Sequence, residues 1–218
     1  MPKNTFLKDI KDSPTTKASL LTEFRRKALH LCALVLPLGY MVAPRKLALL
    51  VLAVCAFIVI FADLLKYYNK SFRKTFVAFF GSMLRRKEIK RFTAATYIMS
   101  AMLICALAFD KWVAVLVLVF IINGDLAAAI FGKRFGKHRT IGKKTLEGSI
   151  AFFLISYASG IALKLLAGHY FIAAPWTALF IGAMSATVVE SLPLGIDDNL
   201  TVPVLTGLAL QMMYIGHF

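Results

Sequence analysis

Six carboxylates, Asp63, Asp125, Glu147, Glu190, Asp197 and Asp198, sit at or just beyond the ends of apolar runs. Only 11 acidic residues face 26 Lys and Arg in this chain, so gathering six of them at such depth asks for a reason. Acids there are costly and are kept where they bind, relay protons or pair. Asp125 closes the run Trp112–Ile122 and heads a ladder of small residues. If Asn123–Gly136 is helical, Asp125, Ala128, Ala129, Gly132 and Gly136 share one face, because steps of three, four, seven and eleven return near the same angle. Such a face admits another backbone, as in a small-xxx-small helix seam, or it admits a phosphate chain. The basic loop after it, closing on Lys143, Lys144, Thr145, Glu147, Gly148 and Ser149, favours the phosphate. Farther on, Glu190 precedes Asp197-Asp198-Asn199. Two carboxylate clusters beside paired lysines suit a Mg²⁺–nucleotide site. Hard oxygens hold the dication, the dication bridges phosphate oxygens, and ammonium groups neutralise the rest. Simple ion pairing with the abundant Lys and Arg is the competing account, with most weight at Asp63 and Glu147.

Other chemistries find little support. No P-loop is present: Gly132–Gly136 is followed by Lys137-His138, at the wrong spacing and without Ser or Thr after the Lys. His30, His138, His169 and His217 are scattered, and no zinc spacing or Ser-His-Asp order emerges. Cys32, Cys55 and Cys105 each lie within an apolar window and read as small buried hydrophobes.

The elements that must position these groups are membrane helices. The 218 residues are 59% hydrophobic, with a mean hydropathy of +0.74. The apolar residues arrive in windows of about 16 to 20 separated by charged loops, the mark of spanning helices. Seven spans are expected, near 29–42, 47–65, 93–109, 112–131, 149–166, 173–190 and 200–215. The fold class is therefore an all-α integral membrane protein. A polar tail over residues 1–22 precedes a single membrane-embedded domain over 23–218. Tyr67–Arg91 differs in character: Phe72, Phe76, Phe79, Phe80 and Met83 recur at helical spacing opposite Arg73, Lys74 and Arg85. That pattern predicts an interfacial amphipathic helix over Phe72–Arg91.

The formal net charge of +15 would suit nucleic acid, but the basic residues flank apolar spans. Topology and anionic phospholipid account for them better. Of the 26 basic residues, twenty-two fall in the tail, the Lys66–Arg91 segment and the Lys133–Lys144 loop. The positive-inside rule then places the N-terminus and the acid clusters on the cytoplasmic side.

Three motifs in order resemble the polyprenol kinase family, which comprises dolichol, phytol and farnesol kinases and the CTP-dependent diacylglycerol kinase. Arg26-Lys27-Ala28-Leu29-His30 is similar to its Arg-Lys-x-x-His motif. Asn123-Gly124-Asp125, Ala128, Gly132, Gly136-Lys137 and Lys144-Thr145-Leu146-Glu147-Gly148-Ser149 are similar to its nucleotide motif. Glu190 with Asp197-Asp198-Asn199-Leu200-Thr201-Val202-Pro203 is similar to its third segment. The resemblance runs from about Glu23 onward. It implies transfer of the terminal phosphate of CTP to a membrane lipid alcohol, with Arg26, Lys27, Asp125 and Gly132 needed for activity. On that reading Asp125, Asp197, Asp198 and Glu190 hold Mg²⁺, and Asp198 takes the hydroxyl proton. Asn123, Gly124, Gly132, Gly136, Lys137, Lys143, Lys144, Thr145, Glu147, Gly148 and Ser149 bind nucleotide. His30, Asp63 and Asn199 are further candidates.

Lys143–Ser149 also resembles the Lys-Lys-Thr-Trp-Glu-Gly-Ser signature of phosphatidate cytidylyltransferases, which make CDP-diacylglycerol. The Gly-His-Gly…Asp-Arg-x-Asp segment of those enzymes has no counterpart here, which favours the kinase. A transporter is a third reading, since charged residues near span ends and Gly-broken helices also line transport paths. Against it, the two halves show no repeat and the charges favour one face. The expected partners are CTP and a lipid alcohol, without nucleic acid, in a bacterial inner membrane or an endoplasmic-reticulum-type membrane. Self-association is open on the sequence.

Overall fold

Every residue from Trp112 to Ile122 is buried, and a helix apolar on all sides belongs at the centre of a bundle. In a computed structural model, which describes residues 31–81, 84, 86–140 and 144–214, this run forms the first half of a long helix. Three of the candidate site residues in the N-terminal segment, Arg26, Lys27 and His30, lie outside the described residues, as does Lys143. In chain order the α-helices are α1 (Val35–Val42), α2 (Arg45–Tyr68), α3 (Lys70–Phe80), α4 (Ala94–Ala108), α5 (Lys111–Phe135), α6 (Leu146–Leu166), α7 (Trp176–Ser191) and α8 (Asp198–Tyr214). Short 3₁₀ turns at Arg86–Lys90 and Gly168–Tyr170 link them. Among the described residues the architecture is all-helical, with one isolated antiparallel bridge between Arg139 and Thr145.

Helix α5 is the axle. It packs most extensively along α6 and also touches α1, α4, α7 and α8, while α2 lies outside against α4. Among the described residues three helices are long and apolar enough to cross a bilayer: α2 with 24 residues, α5 with 25 and α6 with 21. All seven segments expected to span contain a helix. The α4, α7 and α8 helices have 15, 16 and 17 residues, somewhat under the ~20 that a full crossing needs.

Three of the four basic residues outside the main basic segments hold helix ends together. Arg45 donates to the carbonyl of Ala106 at 3.3 Å, and Lys111 to that of Ala43 at 2.8 Å. Lys164 donates to the carbonyls of Phe171, at 2.9 Å, and Ala174. Carbonyls left over at helix C-termini attract cations, so these charges are satisfied locally.

The amphipathic segment departs from expectation. A single helix over Phe72–Arg91 was predicted; α3 instead starts at Lys70 and stops at Phe80. Asn69 sets the start by accepting hydrogen bonds from the backbone N–H of Ser71 (2.8 Å) and Phe72 (3.1 Å). Beyond the break the chain folds back, because buried Lys66 draws in the carbonyls of Glu88 and Arg91, each at 2.9 Å. The aromatic face itself is as expected. Phe72, Phe76 and Phe80 stack in series with centroids 6.1 and 4.9 Å apart, and no α3 side chain is buried.

Candidate active site

Asp125 falls where α5 changes from wholly buried to half-exposed, and its small-residue ladder runs down one wall of a cavity of about 260 Å³. Helix α5 lines it with Asp125, Ala128, Ala129, Gly132 and Lys133. Lys144, Thr145, Gly148 and Ser149 close the facing side, and Glu190 reaches in from the end of α7. The sequence expectation of a helix over Asn123–Gly136 with Asp125, Ala128, Ala129, Gly132 and Gly136 on one face describes this wall for the first four; the helix ends at Phe135 and Gly136 lies outside the lining.

The close approach of α5 and α6 explains the glycines. A Cβ on Gly132 would stand 2.9 Å from Thr145 Oγ1 and 3.6 Å from Gly148 Cα. On Gly124 it would meet the Phe152 ring and Ser156 Oγ at 2.7 Å. The helix-seam reading and the ligand reading are thus both present on one face. Around Gly124 the small residue admits another helix, and around Gly132 it also borders the cavity. Asn123 faces the seam as well, donating to Ser159 Oγ at 2.9 Å, and neither Asn123 nor Gly124 lines the cavity.

Thr145 starts α6 by accepting from the Gly148 N–H at 3.2 Å, an N-cap that leaves the first turn facing the cavity. The loop before it is tied down at both ends. Thr140 N–H donates to the Lys144 carbonyl at 3.0 Å, and Leu146 N–H to that of His138 at 2.9 Å. Glu147, a predicted nucleotide contact, pairs with His138 Nδ1 at 2.8 Å and accepts from the His138 N–H at 3.2 Å. It therefore shapes the loop and does not line the cavity. Lys137 is exposed and Gly136 caps α5; both stand outside the cavity lining.

Lys144 is the electrostatic hub. Its Nζ lies 3.0 Å from Glu190 Oε1 and 3.0 Å from Asp198 Oδ2, and it also donates to the Glu190 carbonyl. Burial opposes its charge, but the two carboxylates outweigh that and hold its pKa above the ordinary lysine value. Glu190 in turn feels the charges of both Asp198 and Asp125. Its Oε2 is buried without a hydrogen-bond partner among the described residues. Two acids thus hold one ammonium, with Asp125 and Lys133 lining the same cavity.

The second cluster divides its labour. Asp197 caps α8: its Oδ1 accepts from the Asn199 side chain at 2.7 Å and from the Asn199 N–H at 3.2 Å. Asn199 is thereby engaged with Asp197. Asp198 alone turns to Lys144. Asp63 lies elsewhere, in a closed network. Its Oδ1 takes Lys66 Nζ at 2.6 Å, and its Oδ2 accepts from the Thr93 N–H and Oγ1 and from Thr96 Oγ1 at 2.6, 2.9 and 2.6 Å. With both oxygens satisfied and 2% exposure, Asp63 is a structural anchor.

Ser191 was not foreseen. Its Oγ is 3.4 Å from Ser149 Oγ and donates to the Thr187 carbonyl at 2.8 Å. A serine near a helix end makes such bonds routinely, so only its place beside Glu190 could have drawn attention.

Among the described residues no three His, Cys, Asp or Glu side chains close into a metal cage. Mg²⁺ carried by a nucleotide asks for less, since it keeps several waters and takes one or two carboxylates plus phosphate oxygens. The donor set here is all oxygen, with one buried carboxylate oxygen unclaimed. The residues fit the ion.

Residues 10–192 match the model of the cytidylyltransferase family. The chain is 27% identical over 186 residues to an uncharacterized protein of Rickettsia prowazekii, covering 83% of this chain and 89% of that one. It is 32% identical over 145 residues to a probable chloroplastic phytol kinase of Triticum aestivum, covering 60% of this chain and 46% of the relative. It is 27% identical over 180 residues to a CTP-dependent diacylglycerol kinase of Saccharomyces cerevisiae, covering 72% and 61%. The chain therefore spans less than two thirds of the length of the plant and yeast relatives. No solved structure matches it.

Proposed function

The chain belongs to the cytidylyltransferase family, and on that premise we propose that it is a CTP-dependent lipid-alcohol kinase embedded in a membrane. The observation that carries the reading is Lys144 held between Glu190 and Asp198 in the cavity headed by Asp125. The names of the plant and yeast relatives support phosphoryl transfer within this family.

The acceptor hydroxyl oxygen attacks the terminal phosphorus of CTP, the bond to the bridging oxygen breaks, and CDP leaves. Lys144 lies against the phosphates and neutralises part of their charge, with Lys133 lining the same cavity. Thr145, Gly148 and Ser149 line the cavity at the N-terminal end of α6, where the helix dipole favours the negative charge of a phosphate. Asp125 and Asp198 would hold Mg²⁺. Bound there, the dication would neutralise charge on the transferring phosphate. The hydroxyl proton goes to a carboxylate. Glu190 Oε2, with no donor among the described residues, suits that role better than Asp198 Oδ2, which already accepts from Lys144. Catalysis by such a site is mostly positioning and charge stabilisation.

The site faces the cytoplasm in a seven-span arrangement with a cytoplasmic N-terminus. Twenty-two of the 26 basic residues fall on that side, and CTP is available there. Helix α3 lies in the headgroup layer, its aromatic side inward. The second reading, cytidylyl transfer to phosphatidate, rests on the family's name and the Lys143–Ser149 motif. One assay separates them. Purified protein in detergent is given CTP labelled at the α- or γ-phosphate, with diacylglycerol, polyprenol, phytol or phosphatidate. Label from the γ-position in the lipid supports the kinase; label from the α-position overturns it.

A further inference from the structure

The cavity holds less than the ~300–1,000 Å³ typical of sites that enclose a whole ligand. A lipid acceptor can therefore place only its polar head there, and its chain must lie along the helices outside. The tight α5–α6 seam offers no path, since Phe152 and Ser156 stand in van der Waals contact with Gly124. The neighbouring α6–α7 seam differs. It begins at the cavity, where Ser149 and Ser191 meet at 3.4 Å. From there Phe153 and Tyr157 follow Ser149 at successive four-residue steps, so they share its face of α6. Their rings lie parallel, 6.0 Å apart at 8°. Both meet Phe180 of α7 edge-on, at 5.6 and 5.8 Å. Met184, one turn from Phe180 toward Ser191, and Phe180 itself remain 42% and 46% exposed.

Resting on the kinase reading, we infer that this strip seats the hydrocarbon chain of the acceptor lipid, with Phe180 and Met184 as its contact residues and the Ser149–Ser191 pair at the hydroxyl. The strip is continuous with the cavity, apolar, and open along its outer edge to a chain arriving sideways from the bilayer. Ser149 and Ser191 supply the polar atoms where the head must stop. The rings of Phe153 and Tyr157 form a firm backing that keeps Phe180 in place. Recognition thus acts on the chain through α7 and on the nucleotide through α5 and α6.

The test uses the full-length protein in detergent micelles with γ-labelled CTP and two acceptors, dioleoylglycerol and the short-chain dioctanoylglycerol. Phe180→Ala and Met184→Ala are compared with Ile104→Ala, a change at an equally exposed position on α4. Removing a contact of ~1.5 kcal/mol raises the KM for dioleoylglycerol about tenfold. The KM for CTP stays within about twofold, and the effect shrinks with the short acceptor. An unchanged lipid KM in both variants, or equal losses with the two acceptors, overturns the inference and leaves the strip to bulk lipid. Failure of the wild-type protein to phosphorylate any acceptor would count against the kinase reading instead. The Met184 variant lies outside the ring cluster and keeps the test decisive if Phe180→Ala unfolds.

Discussion

Lys144 and Asp198, separated by 54 positions in sequence, meet at 3.0 Å between their Nζ and Oδ2 atoms. The contact joins the loop before α6 to the start of α8, and Glu190 at the end of α7 completes it from the third side. Three helix termini converge on one ammonium. Such a junction both holds the bundle's end together and fixes the charges that face the cavity.

Removing that ammonium should have two separable effects. Lys144→Ala leaves Glu190, 10% exposed at its side chain, without its partner, a loss of about 3–5 kcal/mol in stability by analogy with broken buried pairs. It should also weaken CTP binding about tenfold to a hundredfold, the worth of one charged hydrogen bond. Lys144→Arg should recover most of the stability and part of the affinity. Thermal unfolding in detergent and calorimetric CTP titration measure the two, and unchanged CTP affinity in Lys144→Ala would remove Lys144 from the site.

The pH dependence follows from the same pair. Because the folded-state pKa of Lys144 is raised, its stabilising contribution is complete below the ordinary lysine value, about 10.4, and is lost only as pH rises through the still higher folded value. Nucleotide affinity should therefore show no lysine titration between about pH 6 and 9. A fall in affinity across that range that vanishes in Lys144→Arg would contradict this.

Much of this was legible in the residues because it is local. Asp125, Ala128, Ala129 and Gly132 lie on one helical face by spacing alone, and the structure lines a cavity with them. The all-apolar Trp112–Ile122 run marked a spanning helix in the same way, though not its place at the centre of the bundle. What the residues did not disclose was partnership across the fold. Asp63 and Asp125 both sit in or beside apolar runs, yet one is closed off by Thr93 and Thr96 and the other opens on the cavity. Asp197 and Asp198 are neighbours in the chain, but the turn into α8 makes the first a cap and directs the second to Lys144. The break after Phe80 was hidden for the same reason, since it depends on where Lys66 finds its carbonyls.

Asp63 provides a contrast with the cavity acids. Its loss leaves Lys66, 1% exposed, as an unpaired buried cation and frees the chain around Glu88–Thr93. Asp63→Ala should destabilise the protein by about 3–5 kcal/mol, with CTP affinity of the folded fraction unchanged. A variant with normal stability and lost nucleotide binding would move Asp63 into the site.

The glycines of the α5–α6 seam should be intolerant of any side chain. Gly124→Ala drives a methyl to 2.7 Å from a ring with no room to retreat, and overpacking of that kind costs about 1–3 kcal/mol. Gly168→Ala, where no atom lies within 4 Å, serves as the harmless comparison. Equal melting temperatures for the two variants would show that the helices do not approach as closely as described.

Topology can be checked without any assay of activity. Cysteines placed at Arg139 and Gly168 lie at the two ends of α6, so a spanning α6 puts them on opposite sides of the membrane. Impermeant maleimide added to intact cells should label Gly168→Cys and spare Arg139→Cys. Labelling of both from the same side would end the seven-span arrangement.

The last prediction concerns the dication. Asp125 and Glu190 line the cavity with Lys144 and Lys133, and Asp198 is bonded to Lys144 beside it, while a nucleoside triphosphate brings about four further negative charges. Carboxylate and phosphate oxygens repel one another unless a cation lies between them, and Mg²⁺ with one or two carboxylate ligands meets that need. CTP affinity of the wild-type protein should therefore fall at least about tenfold when Mg²⁺ is removed with a chelator. Asp125→Asn should behave differently. It abolishes turnover, because the dication is no longer held in register with the phosphates. It also removes one of the charges that made the dication necessary for binding, so residual CTP binding becomes nearly independent of Mg²⁺. Equilibrium binding of CTP to both proteins, with and without Mg²⁺, reads this directly. If chelation leaves wild-type affinity unchanged, or if Asp125→Asn keeps the full Mg²⁺ dependence, Asp125 does not hold the ion.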